Sequence, residues 1–420
     1  MDNLLPPDIT IDIFSRLPAE SVVPWKRVCT TWRRLLLRTD FADTHLRRQL
    51  QQQQQQLDHH EHDHDDDLYH KGSNNGGGGG TSKVSFLFLA KSLVERDNKL
   101  IYYGEYYDGQ FYYKTLTRKN IHQSHHYIVG SCNGLICFSV SHNSSTSTNT
   151  FVGNDPIYIC NPITGEEVNL PTFINNNNNG GFHWIGMASG FGYLPSTNEY
   201  KVLRISNRDE RSGKVGQVEV YTLGSGKGWR NKGEISYFSL PDLDPSPGVF
   251  VDGAVHWLDY RKLRIVGFDL ADEEFFEVPS PPCFQPIEAR LFLYLEVLGG
   301  CLSVVRIKRG VCVDVWSLKK KKKMNSSYET KAKDYECYWN WSREFSIAWV
   351  GKFRDNYDPF AITKSGEVLL WYNQTILYLY NTKTATLKEL KNGGLGLKVF
   401  RVIPHMNSFV SLKALGERLI

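Results

Sequence analysis

Residues able to do chemistry fall in four places along this 420-residue chain, and each competes with a plainer use of the same side chains. The densest is the imidazole cluster His59, His60, His62, His64 and His70, since imidazole is the commonest ligand of transition metals. Its spacing is irregular and its surroundings are acidic and polar, with nothing to orient the rings, so it reads as solvated linker. Cys132 and Cys137 form one close cysteine pair, too few ligands for a metal site. A nucleophilic pairing of Cys132 with His125 or His126 competes with the simpler reading of a core thiol on a strand. Gly224-Ser225-Gly226-Lys227-Gly228 resembles a phosphate-cradling loop only superficially; it lacks the required spacing and reads as a hairpin turn. Lys319 to Lys323 could bind phosphate or serve as a nuclear signal, yet it follows a strand pattern and precedes Asn325-Ser326-Ser327, which makes it an exposed inter-strand loop. The sequence has no GxSxG elbow, HExxH, GxxxxGK[ST] or dinucleotide fingerprint. No catalytic, cofactor-binding or metal-binding residue is assigned.

Composition narrows the remaining classes. Apolar residues make up 41% and charged residues 22%, ordinary globular usage. The 49 Lys+Arg against 45 Asp+Glu leave +4, too little for the sequence-independent phosphate attraction that nucleic-acid binding needs. No stretch approaches the roughly 20 apolar residues of a membrane span. The closest, Leu291 to Val297, is short and contains Glu296. The run Met1 to Asp8 has neither a basic region nor an apolar core, so a signal peptide is not expected. Eight scattered cysteines suit reduced thiols in cytoplasm and/or nucleus better than a disulfide framework.

The elements that must position any site divide the chain in three. Residues 49–82 contain Gln51 to Gln56, the His/Asp tract His59 to Asp67 and Gly76 to Gly80, none able to bury apolar surface, and are expected to be a disordered linker. Before it, in residues 1–48, Ile9, Ile13 and Leu17 recur at helical spacing after Pro6-Pro7. Trp25, Val28, Cys29, Trp32, Leu35 and Leu36 fall on one stripe of a second, longer helix, and a third segment over Asp40 to Leu46 completes about three helices. So small and apolar a unit completes its core on a partner.

After it, residues 83–420 repeat a turn-plus-alternation pattern with turns at Gly134, Asn198, Gly253, Gly300 and Gly366. Each is followed by a second strand pair beginning near Ile157, Val218, Ile265, Val313 and Leu377. The spacing is near the roughly 50 residues of kelch-type blades, so this all-β region is expected to form a β-propeller of about six blades, with a β sandwich as the alternative. Loops on one face of such a scaffold would capture a target. Ser141 to Asn154, Asn175 to Gly181, Asn207 to Gly216 and Lys319 to Lys333 are candidate insertions, with no target-binding residue named. The many strand tryptophans, Trp257 and Trp371 among them, read as core.

Three short runs carry a specific resemblance. Leu5-Pro6-Pro7-Asp8-Ile9 through Val22, Val28-Cys29-Thr30-Thr31-Trp32-Arg33 and Phe41-Ala42-Asp43-Thr44-His45-Leu46 together resemble a plant F-box. Downstream, Gly130 to Leu135, Cys160-Asn161-Pro162-Ile163-Thr164-Gly165, Gly190 to Tyr193 and Asp252 to Trp257 resemble the F-box-associated domain of plant F-box/kelch-like proteins. The resemblance implies an α+β multidomain receptor in a Skp/cullin/F-box ubiquitin ligase: the F-box on a Skp-type adaptor and through it cullin, the C-terminal domain on a protein target. By motif position it implies that Leu5, Pro6, Ile9, Ile13, Leu17, Pro18, Val22, Val28, Cys29 and Trp32 face the adaptor or support that interface. Pro24 and Trp25 depart from the usual pattern just before the Val-Cys pair. Such a receptor supplies proximity and orientation and needs no nucleophile or cofactor of its own. Two alternatives remain: a propeller binding a glycan or small ligand or acting as an oxidase, and a scaffold outside any ligase.

Overall fold

The computed structural model describes residues 5–62, 83–93, 100–116, 126–143, 150–173, 183–207, 215–236, 247–260, 262–284, 291–320, 339–390 and 396–420. The chain opens with helices α1 (Pro7–Ser15) and α2 (Ala19–Val22), a 3-10 turn (Val23–Arg27), α3 (Thr30–Leu35) and α4 (Thr39–His62). Pro6 and Pro7 start α1 where a missing N–H costs nothing. The expected second helix is broken. Pro24 removes a donor inside it, and Cys29 is extended (φ −154°, ψ 163°) with its Sγ accepting from the Trp32 N–H at 3.4 Å, the cap of α3. Helix α4 overruns its expected end and carries the Gln51–Gln56 run to His62, so 49–62 is helical where linker was expected. Glutamine is a good helix former, and extending a nucleated helix costs little. The remaining linker residues, with His64 and His70, lie outside the described residues.

The rest is β structure. The described strands are β1 (Val84–Ser92), β2 (Leu100–Tyr107), β3 (Gln110–Thr115), β4 (His126–Cys132), β5 (Leu135–Asn143), β6 (Thr150–Asn161), β7 (Glu166–Asn169), β8 (His183–Leu194), β9 (Glu199–Asn207), β10 (Val215–Thr222) and β11 (Trp229–Ser236). They continue with β12 (Val249–Val251), β13 (Ala254–Asp259), β14 (Arg264–Asp269), β15 (Phe275–Val278), β16 (Leu291–Leu298), β17 (Cys301–Lys308), β18 (Cys312–Lys320) and β19 (Trp339–Ala348). The last are β20 (Tyr357–Ile362), β21 (Glu367–Tyr372), β22 (Ile376–Asn381), β23 (Thr386–Glu389) and β24 (Leu397–Pro404).

All five repeats found in the sequence fold as four-stranded antiparallel meanders, with the marked turn joining the first two strands. Asn133-Gly134 (φ 49° and 85°) and Asp252-Gly253 (φ 51° and 80°) are two-residue loops whose left-handed backbone suits the twist of a hairpin. Three meanders form separate sheets, and β24 pairs with β1 to make a fourth, β24-β1-β2-β3, joining the two ends of the domain. The other two meanders share one eight-stranded sheet through a parallel pairing of Thr150–Gly153 with His183–Gly186. Described residues at both ends of the expected Ser141–Asn154 insertion are therefore strand, where the buried Val152 supplies a β-favouring side chain within the Ser/Thr/Asn-rich run. The outcome is a propeller-like arrangement with four separate four-stranded sheets, not six separate blades.

Adjacent sheets pack face to face through mixed apolar clusters, such as Phe86, Phe88, Trp371 and Val399 between the first and last sheets. The first strands touch one another in a cycle, β4, β8, β12, β16, β20, β24 and back to β4, an order that two stacked layers do not produce. Lys319 and Lys320 belong to β18, with Lys319 Nζ 2.7 Å from Glu344, rather than to the expected loop. Residues 321–338, like 174–182 and 208–214 of the other candidate insertions, lie outside the described residues.

Candidate partner-docking surface

Helix α1 turns one face inward and another to water. Phe14 is buried and packs on Trp25 (centroids 4.6 Å apart) and edge-on against Trp32 (4.9 Å). Val22, Leu36 and Phe41 complete this core, with Leu17 packed at its margin. Trp25, a departure from the family pattern, is thus one of three mutually packed rings. On the opposite side, Leu5, Ile9 and Ile13 follow one another at steps of four and are 55%, 48% and 41% exposed. Pro6, Pro18 and Val28 are also exposed, as is Leu37, which the motif reading missed although it directly follows the buried Leu35-Leu36 pair.

The ten candidate residues therefore separate by position. Leu5, Pro6, Ile9, Ile13, Pro18 and Val28 are presented outward. Val22 is fully buried, while Leu17 and Trp32 support the core half-buried and half-buried Cys29 caps α3. Polar ties fix α1 to α4: Arg48 donates to the Asp12 carboxylate, the Asp12 carbonyl (2.7 Å) and Ser15 Oγ, and His45 Nε2 lies 3.0 Å from the Leu17 carbonyl oxygen. Hydrogen bonds from Arg16 and Arg48 hold the Asp12 carboxyl below its ordinary range.

The helical segment is seated on the β domain. After β24 the chain runs under α4, where Phe409 meets Phe41 (5.1 Å) and His45 (5.0 Å, edge-on), and the Lys26 ammonium lies 5.3 Å over the Phe409 ring. Asn407 donates to Glu20. Burial pushes the Glu20 carboxyl up, but Asn407 and the Lys83 charge outweigh it, so the net shift is downward. The segment itself is gripped by Asn161 Nδ2, which donates to the Ser408 and Val410 carbonyls at 3.1 and 2.7 Å. Against it lies Gly134, whose added Cβ would stand 2.8 Å from the Ser408 nitrogen.

For nucleophilic chemistry the same region offers little. Cys132 and Cys137 are buried on the β4–β5 hairpin, and burial pushes the Cys132 thiol up to about 12, away from the reactive thiolate. Among the described residues no cluster of three or more His, Cys, Asp and Glu side chains could hold a metal, and no helix is long and apolar enough to cross a membrane.

A small helical unit with an outward apolar line, docked on a ring of β meanders, defines a two-part class of protein, a short helical segment joined to a propeller-like β domain. The family described as the F-box associated beta propeller domain matches residues 92–413, and an F-box-like domain matches residues 2–46. The chain belongs to this F-box-associated β-propeller family. An F-box protein of Arabidopsis thaliana is 26% identical, with 93% of this chain and 88% of that protein covered. An F-box/kelch-repeat protein of the same plant is 24% identical over 90% and 87%. Among solved structures, a fucoside-bound Aleuria aurantia lectin matches at TM-score 0.33 and 9% identity, over 77% of this chain and 95% of the lectin.

Proposed function

We propose that this chain is the substrate-recognition subunit of a Skp/cullin/F-box ubiquitin ligase. In this reading its helical segment binds a Skp-type adaptor and its β domain captures a protein for ubiquitination and degradation. The observation that carries the reading is the line Leu5, Ile9 and Ile13, exposed just before and along α1 within the F-box match while Phe14 on that helix is buried. An apolar stripe at helical spacing has little reason to stay in water, and a groove on a partner is what covers it. Leu5, Pro6, Ile9, Ile13, Pro18 and Val28 are then contact residues, and Val22, Leu17, Trp32 and Cys29 hold them in place. The chain supplies orientation rather than bond-making, and works in cytoplasm and/or nucleus. We read the ring as six blades, two of them fused by the β6–β8 pairing; the six-membered cycle of first strands supports this.

The test is capture of a purified Skp-type adaptor by the full chain and by Ile13→Asp. Micromolar or tighter binding by the parent, lost in the variant with its melting curve unchanged, is the expected result. Equal capture by both would overturn the docking model.

A further inference from the structure

Four strands of the contact cycle, β12, β16, β20 and β24, bring residues to a cavity of about 280 Å³. Two carboxyl groups line it. Glu296 on β16 accepts from the Val297 N–H at 3.1 Å, and both oxygens of Asp358 on β20 accept from Asn356 Nδ2, at 2.7 and 2.8 Å. Among the described lining residues these two acids face one guanidinium, Arg401. Burial pushes Glu296 up to about 7, with Arg401 drawing it partly back and Asp358 adding to the rise. Burial likewise takes Asp358 up to about 6. The walls are aromatic, with Phe360, Tyr294 and Trp371 among them. Trp371 is 1% exposed, yet among the described residues its indole N–H has no acceptor and the buried Tyr294 hydroxyl has no partner. Unsatisfied polar groups at this depth are uncommon and ask for an explanation.

We propose that this cavity takes the cationic head of a basic side chain, a lysine ammonium or an arginine guanidinium, carried on a short stretch of the target polypeptide. The proposal rests on the receptor reading above and names the chemistry its target presents. Two poorly hydrated acids beside one cation leave a charge deficit that a second cation fills. Aromatic walls suit both the aliphatic stem of a basic side chain and its charged end. A polypeptide also brings carbonyl oxygens able to accept from the Trp371 N–H, which a simple amine lacks. The volume fits one long side chain rather than a folded element.

The experiment titrates the full chain with Ac-Gly-Lys-Gly-NH2 and Ac-Gly-Arg-Gly-NH2 by calorimetry, beside norleucine and citrulline counterparts and butylamine. The basic peptides should bind at least about tenfold tighter than the neutral ones and than butylamine. Their affinity should rise from pH 5.5 to 8 as Asp358 and Glu296 ionise. Of the other titratable groups lining the cavity, His256, Tyr260, Tyr294 and Arg401, burial lowers His256 to about 4 and raises Tyr294, so neither of these two changes charge in that range. Asp358→Asn and Glu296→Gln, which keep the side-chain shape, should each weaken binding tenfold or more without lowering the melting temperature. Equal affinity for the neutral peptides, no basic-peptide binding at millimolar concentration, or unaffected carboxamide variants would overturn the site. Butylamine binding as tightly as the peptides would overturn the polypeptide as its source. Adaptor capture by the same samples separates the two readings: its loss with peptide binding intact removes the receptor role and leaves the cavity assignment, and the converse removes the cavity alone.

Discussion

Along α1 and the turn before it, Leu5, Ile9 and Ile13 stand in water while Thr10 and Ser15 are buried; in the cavity, the half-buried Glu296 and Asp358 lie among Phe360, Tyr294 and Trp371. Each region inverts the usual placement, and the cost differs in kind. Exposed apolar area forgoes roughly 25 cal/mol per Å², a sum that grows with the surface a partner covers, so the α1 face asks for a broad groove. A desolvated carboxyl forgoes its hydration at one point, so the cavity asks for one charge. The α1 line is seated by aromatic packing beneath it, the cavity by strands from four neighbouring meanders. The helical face can thus be altered with little cost to the fold, whereas the cavity is bound up with the ring.

The largest effect should come from removing what holds the helical face. Phe14→Ala deletes the ring shared by Trp25 and Trp32 and should cost ~3–5 kcal/mol, read as lost hydrogen-exchange protection across residues 7–46. Retained protection there would mean that the seat on Phe409 alone orders the helices. Next is Gly134→Ala, which forces a side chain into φ 85° against the Ser408 backbone. A loss of about 2–4 kcal/mol in thermal melts is expected, with loosened contact between Phe409 and α4. A neutral outcome would show that the 405–412 segment is not held by this turn. Smaller in stability but sharp in binding is Ile13→Asp: adaptor affinity should fall at least about thirtyfold while stability changes by less than about 0.5 kcal/mol. A large stability loss instead would assign Ile13 to the core and blur the contrast.

Much of this contrast could be read from residue order. Asn133-Gly134 and Asp252-Gly253 announce their hairpins because a left-handed pair is what a two-residue loop needs, and the strand after each follows by alternation. Three features are not legible in residue order. The helical stripe through Val28 and Cys29 reads as continuous, but Pro24 interrupts it and the Cys29 backbone is extended, with its Sγ capping α3. The glutamine run has helical propensity and no apolar face, so composition alone favoured linker over the extension of α4. The parallel pairing of Thr150–Gly153 with His183–Gly186 joins residues about 30 apart and has no local signature. For the cavity, one sign was visible, a lone Glu296 within the apolar run Leu291 to Val297. Its meeting with Asp358 and Trp371 comes from ring closure, which no single repeat specifies.

The smallest expected effect separates the two regions by pH. Asp358 and Glu296 have folded values of about 6 and 7 against ordinary values of 3.8 and 4.5, so between roughly pH 4 and 7 the folded chain holds more protons than the unfolded one at these sites. Their contribution to stability therefore falls as pH rises through that window. His256 and His405, both lowered by burial to about 4 from 6.5, act oppositely: their stability is lost as pH falls from about 6.5 toward 4. Above about pH 7.5 the histidines are neutral in both states, and what is left of the decline, as Glu296 finishes ionising, belongs to the carboxyls. The double variant Asp358→Asn with Glu296→Gln should gain on the parent by on the order of 1 kcal/mol per site between pH 5 and 8 in denaturant melts. Ac-Gly-Lys-Gly-NH2 at saturation should flatten the parent's decline, because a bound cation keeps the ionised carboxyls favourable in the fold. Ile13→Asp should leave the parent's profile above pH 6.5 unchanged, since its aspartate lies on an open helical face. Parallel profiles for parent and double variant would place both carboxyls in ordinary aqueous surroundings and remove the contrast from which the cavity's role is argued.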